Sequence, residues 1–144
     1  VLDASVLLIP AVGFLPPRDP RVLGTLEAIE RNLMSDGYVL RHDPRENQDP
    51  TETEEGAFLA CSLWLADAYV LAGEIDRAKE LFDRVAGIAN DLGLLAEEYD
   101  TEQRRQTGNF PQALTHIALI NTANNLSAAK AATHKPAMQR SKQS

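Results

Sequence analysis

A chain of 144 residues, 44% apolar and 24% charged, is long enough for one domain around a single core. Its one cysteine, Cys61, excludes an internal disulfide and argues against a thiolate metal centre. The net charge of −7 is concentrated in the body, because every acid precedes Gln103, and such a surface repels phosphate backbones, so no nucleic-acid partner is expected. No apolar run reaches the roughly 18 to 20 residues that cross a bilayer, and no membrane partner is expected either. The opening Val1-Leu2-Asp3 has neither an initiator methionine nor the basic start of a secretory signal, and it reads as the start of a fragment.

Proline, glycine and charge divide the chain into five helical stretches. Leu2 to Val12 is apolar except for Asp3 and Ser5. After Gly13-Phe14-Leu15-Pro16-Pro17, a helix is expected from Asp19-Pro20, an N-cap followed by proline at the first helical position. It carries Val22, Leu26, Ile29 and Leu33 on one face. Gly56 to Ala72 is apolar almost all round, whereas Glu74 to Asn90 sets Ile75, Ala78, Leu81, Phe82, Val85 and Ile88 against a charged face. The last helix is expected from about Phe110 to Leu126, and 127–144 reads as a frayed helix end and a flexible basic tail. No strand pattern is persuasive, so the fold class is all-α.

A helix apolar on every side is buried on every side, while a helix with one apolar stripe covers a core from outside. The stretches alternate between these kinds, as two concentric layers require. The step from Leu71 to Ile75 needs little more than Gly73, but Met34 to Glu55 and Asp91 to Asn109 each run to about twenty residues. Connections that long inside a domain are commonly functional. In an inner-and-outer arrangement both emerge at one end, where their polar groups converge.

The second of these loops holds Glu97-Glu98-Tyr99-Asp100 after the apolar Leu92-Gly93-Leu94-Leu95-Ala96. Carboxylates beside an apolar run suit acid–base chemistry, although an acidic cluster in a loop is more often a solvated surface. The first loop offers Arg41-His42-Asp43 and the acids Glu52, Glu54 and Glu55, with Glu55 expected at the N-terminus of the apolar helix, where a carboxylate favours the dipole. Arg41 suits hydroxyl or carboxylate recognition, or an ordinary surface position. His116 and His134 have no ligand-spaced neighbours and read as non-catalytic, and Cys61 reads as a small core residue. Phosphate loops, zinc spacings and nucleophile elbows are absent from the sequence, so neither cofactor nor metal is expected. Trp64, Tyr69, Gly73, Ala78 and Phe82 loosely imitate one tetratricopeptide unit, and a non-catalytic helical interaction module is the alternative reading.

Five stretches taken together are more specific: Leu2-Asp3-Ala4-Ser5-Val6-Leu7-Leu8, Gly13-Phe14-Leu15-Pro16-Pro17, Glu55-Gly56-Ala57-Phe58-Leu59, Asn90 to Asp100, and Gly108-Asn109-Phe110-Pro111-Gln112-Ala113. In this order they resemble the C-terminal part of glycoside hydrolase family 15, the glucoamylases, glucodextranases and bacterial trehalase-like enzymes, with the wording closest to the last. The resemblance covers residues 1–126. It implies part of an (α/α)6 barrel, about five of twelve helices, whose remainder is the natural partner of this chain. It also implies an α-glucoside substrate, trehalose or an α-glucan end, hydrolysed with inversion by two carboxyl groups. The first glutamate of the family's Glu-[Glu/Gln]-Tyr-Asp motif, here Glu97, is then the general base. Arg41, Glu55, Glu98 and Tyr99 fall at sugar-binding positions, with His42 standing where relatives commonly have tyrosine. The general acid is expected upstream of Val1, which would leave the isolated chain inactive. Inner helices without their partners are expected to expose apolar side chains.

Overall fold

The computed structural model describes residues 2–43, 45 and 55–140. Its path is mostly helical, but two small antiparallel sheets join the helices, which corrects the expectation of a chain without strands. The opening apolar stretch forms two short pieces instead of one helix. A 3-10 turn, Ala4–Leu7, is started by the Asp3 carboxylate accepting from the Ser5 N–H at 2.8 Å, and α1, Leu8–Ala11, follows directly. Helix α2, Pro20–Leu33, begins as anticipated, with the Asp19 carboxylate accepting from the Arg21 N–H at 2.9 Å and Pro20 next. Val22, Leu26, Ile29 and Leu33 are its buried face.

A hairpin follows, β1 Met34–Ser35 and β2 Tyr38–Val39, turned by Asp36 and Gly37, both at positive φ. It delivers the chain to Arg41 with Tyr38 and Val39 buried, and the Val39 N–H donates to the Ser62 hydroxyl at 2.9 Å. The chain reappears in β3, Ala57–Phe58, which leads into α3, Leu59–Ala72. This helix starts later than the sequence suggests because Ala57 and Phe58 are extended and paired with β4. Gly73, at φ +91, ends α3 and allows the tight turn into α4, Ile75–Ala86. Strands β4, Glu98–Asp100, and β5, Arg105–Thr107, complete a sheet of order β3-β4-β5, with Ala57 opposite Tyr99 and Tyr99 opposite Gln106.

Helix α5 spans Ala113–Arg140, passing Leu126, beyond which Met138 alone is large and apolar. Ala128, Ala129, Ala131 and Ala132 explain the continuation: alanine favours helix without needing anything to bury against.

Helix α3 is the centre of the molecule. It packs against both α4 and α5, and its residues are buried on nearly every side, as the uniformly apolar sequence requires. Leu65 and Cys61 share one buried cluster with Leu26, Ile29 and Leu33 of α2, while Leu59 and Leu63 share a second with Val85, Leu95 and Ala118. Burial pushes the Cys61 thiol up to about 12, so this cysteine is an inert core residue. Helix α4 buries only Ala78, Leu81 and Val85. Helix α5 turns Thr115, Ala118 and Thr122 inward but leaves Leu114, Ile117 and Ile120 45%, 56% and 58% exposed, a second apolar face covered by nothing among the described residues.

Candidate active site

The segment carrying Glu97 is secured before that residue is reached. The Asn90 side-chain carbonyl accepts from the N–H groups of Leu92 and Leu94, which closes a small loop and sends Leu95 into the core. Three side chains then bind the next backbone groups. His116 Nε2 accepts from the Leu95 N–H at 3.3 Å, Gln106 Oε1 accepts from the Ala96 N–H at 2.6 Å, and the Thr115 hydroxyl donates to the Ala96 carbonyl at 2.9 Å. Gln106 also donates to the Ile88 carbonyl, so one amide links β5, the end of α4 and this segment. Because a ring nitrogen facing an N–H must accept, His116 carries its proton on Nδ1, which donates to the Gln112 carbonyl at 2.7 Å. His116 is thus a structural residue of the site.

Glu97 is half-buried between Asn109 and the start of α3. Its carbonyl accepts from the Leu59 N–H at 3.0 Å, and its own N–H donates to the Asn109 carbonyl at 2.9 Å. Carboxylate oxygen Oε2 accepts twice from Asn109, from the backbone N–H at 3.1 Å and from Nδ2 at 2.9 Å. Gly108 makes this approach possible. It lies at φ +74, and a Cβ there would stand 3.0 Å from Oε2 and 3.1 Å from the Glu97 Cβ.

Glu98 is next along β4, and its Oε2 accepts from the Gly56 N–H at 2.9 Å. Burial raises its carboxyl above the ordinary glutamate range, and the negative charges of Glu55 and Glu97 push in the same direction, against the Gly56 hydrogen bond and Arg41. Glu55 receives Arg41 through Nε and Nη2, the shortest contact 2.9 Å, and stands 3.3 Å from His42 Nδ1. The Arg41 guanidinium also lies 5.5 Å from the centre of the Phe58 ring. Its backbone is fixed by the Ala4 N–H, which donates to the Arg41 carbonyl at 2.8 Å, and by the bridge between Asp3 and His42.

The two long connections therefore meet beside the start of α3, bringing Arg41, Glu55, Glu97 and Glu98 together. Glu55 is not in the first helical turn, as the sequence reading had it; α3 begins at Leu59, and Glu55 is a partner of Arg41 and His42. Tyr99 is buried in the core, its ring 4.8 Å from that of Tyr38, so it supports β4 by packing. Glu52 and Glu54 lie outside the described residues, as does the side chain of His134. Asn109 and Gln106, to which the sequence alone assigns no role, are central here, and the one signal for Asn109 is its place beside Gly108 in the Gly-Asn-Phe-Pro-Gln stretch. Among the described residues no group of His, Cys, Asp and Glu is arranged to hold a metal. No helix among them is long and apolar enough to cross a membrane.

The profile of glycosyl hydrolases family 15 matches residues 1–124. The chain belongs to that family. The trehalase of Mycobacterium tuberculosis is 51% identical over 120 residues, which are 83% of this chain and 18% of that enzyme. The trehalase of Thermoplasma volcanium is 38% identical over 125 residues, 87% of this chain and 20% of the relative. Trehalase 1 of Sulfolobus acidocaldarius is 37% identical over 119 residues, 83% of this chain and 21% of its own length. This family 15 chain thus spans about a fifth of the curated relatives it matches. No solved structure matches it.

Proposed function

We propose that this chain is the base-bearing part of an inverting α-glucoside hydrolase acting on trehalose, within a longer protein. The observation that carries the reading is the meeting of Arg41, Glu55, Glu97 and Glu98 at one end of α3, in a chain of the family whose named relatives are trehalases. Glu97 takes a proton from water as the water oxygen bonds to the anomeric carbon. The glycosidic bond breaks on the opposite face, and its electron pair leaves with the departing sugar oxygen. That oxygen takes a proton from a general acid elsewhere in the full-length protein, across a gap of roughly 6.5 to 9.5 Å between the two carboxyl groups. Arg41, Glu55 and Glu98 bind hydroxyls of the glucosyl unit, and Tyr99 braces β4 by packing.

The same reading gives the helices their layers: α3 and α5 are inner helices of an (α/α)6 barrel and α4 an outer one. The uncovered face of Leu114, Ile117 and Ile120 supports it, being the apolar surface an inner helix turns toward further barrel helices. Residues 1–126 then form part of the barrel and 127–144 a basic extension. Without the rest of the barrel, the isolated chain is inactive.

The test is Glu97→Gln in the full-length enzyme, which keeps shape and most hydrogen bonds while removing the basic carboxylate. Turnover on trehalose should fall by at least about 10² to 10⁴-fold, the usual worth of general-base assistance, with sugar affinity changed far less. Near-normal turnover overturns the assignment.

A further inference from the structure

Glu97 has two carboxylate oxygens, and the fold treats them unequally. Oε2 takes both N–H groups of Asn109, backbone at 3.1 Å and side chain at 2.9 Å, which fills the two lone-pair directions an sp² oxygen offers. Oε1 has no hydrogen-bond partner among the described residues. The backbones close the arrangement from the other side, since the Glu97 N–H donates to the Asn109 carbonyl at 2.9 Å.

Asn109 has no competing task. It is exposed, so it contributes little to the core, and helix α5 begins four residues later, at Ala113. Its side-chain amide donates to Glu97 alone.

We infer that Asn109 is a positioning residue for Glu97, holding Oε2 so that Oε1 is the oxygen that receives the proton of the attacking water. The inference rests on Glu97 being the base. A carboxylate pinned at one oxygen keeps a single orientation, and the free oxygen retains the lone pair the reaction uses. Gly108 belongs to the same device, because only a residue without a Cβ lets the backbone of Asn109 come this close.

The experiment uses Asn109→Ala and Asn109→Asp in the full-length enzyme, with kcat and KM for trehalose and the melting temperature of each. Removing the side-chain donor should lower kcat by about tenfold, the worth of one hydrogen bond to a charged group, and leave KM within about twofold. Asn109→Asp keeps the shape but sets a second carboxylate against Oε2, and it should lower kcat further than alanine does. A merely structural asparagine gives the reverse order, since aspartate preserves its volume. Full kcat in Asn109→Ala, milder damage from aspartate, or a loss confined to KM overturns the inference. If Asn109→Asp does not fold, the kcat and KM of Asn109→Ala decide alone. Glu97→Gln separates the two readings: a large loss there beside full kcat in Asn109→Ala removes only the positioning role, whereas near-normal turnover in Glu97→Gln removes the base and the positioning role together.

Discussion

The two long connections that reach the site are held in different ways. The segment from Asn90 to Asn109 is tied by hydrogen bonds to its own backbone, three of them from the partly or fully buried side chains of Thr115, His116 and Gln106, with an exposed pair from the Asn90 amide. Arg41 and Glu55 are tied chiefly to each other, through a charged contact open to solvent. Backbone hydrogen bonds made out of water fix position closely, and breaking one strands a buried group at a cost of about 1–3 kcal/mol. An exposed ion pair is worth about 0–1 kcal/mol, so a sugar hydroxyl can replace one partner with little loss. On the proposed reading, the closely tied connection carries the residue to be aimed, and the exchangeable pair carries the residues that admit the sugar.

The contrast is tested most severely at Gly108. Gly108→Ala places a methyl 3.0 Å from Glu97 Oε2, on a backbone at φ +74 that an L-residue adopts only with strain. Displacing the carboxylate by a fraction of an ångström should cost turnover on the order of 10²-fold, with much less effect on KM. Steady-state kinetics of the full-length variant check this, and wild-type kcat would show that the rigid segment does not aim Glu97.

Arg41→Lys probes the other connection and should do less. Lysine keeps the charge but lacks the planar fork that reaches Glu55 through two nitrogens, so affinity for a glucosyl ligand should fall by about threefold to tenfold. The melting temperature should barely move, because the pair is exposed. Calorimetric titration with a non-hydrolysed α-glucoside measures the first and thermal unfolding the second. A marked loss of stability with unchanged affinity would make Arg41 a structural residue and reverse the comparison.

The same contrast explains what could be read from the residues beforehand. Long patterns were legible. The uniform apolarity of α3 and the single stripe of α4 correspond to burial on nearly all sides and on one, and Asp19-Pro20 marks the start of α2. Strands of two or three residues were not, because β3, β4 and β5 are too short for alternation to stand out. Their pairing depends on partners as far apart as Ala57 and Tyr99. Arg41, Glu97 and Glu98 stand out in the sequence because charged residues in long loops invite attention and the motif wording is specific. Gln106 and His116 bind backbone groups, and Asn109 binds the Glu97 carboxylate, through hydrogen bonds that no spacing rule marks.

The smallest effect is expected at Glu98, and its sign is informative. Burial and the neighbouring charges of Glu55 and Glu97 raise this carboxyl in the folded state, so the fold binds its proton more readily than the unfolded chain does. The stabilisation from that proton is present in full below the unfolded value of about 4.3 and is lost as pH rises through the folded value. At neutral pH an ionised Glu98 therefore costs stability. Glu98→Gln removes the titration while an amide oxygen can still accept from the Gly56 N–H. The variant should melt slightly above the wild type at pH 7, with the gain vanishing near pH 4. Its turnover should fall by less than that of Glu97→Gln, because glutamine can still hydrogen-bond a sugar hydroxyl but cannot serve as a base. Melting curves at the two pH values and turnover on trehalose decide the matter. A variant less stable than wild type at pH 7 would mean that Glu98 is held as a charge by its partners, and a turnover loss larger than that of Glu97→Gln would move the base one residue along β4.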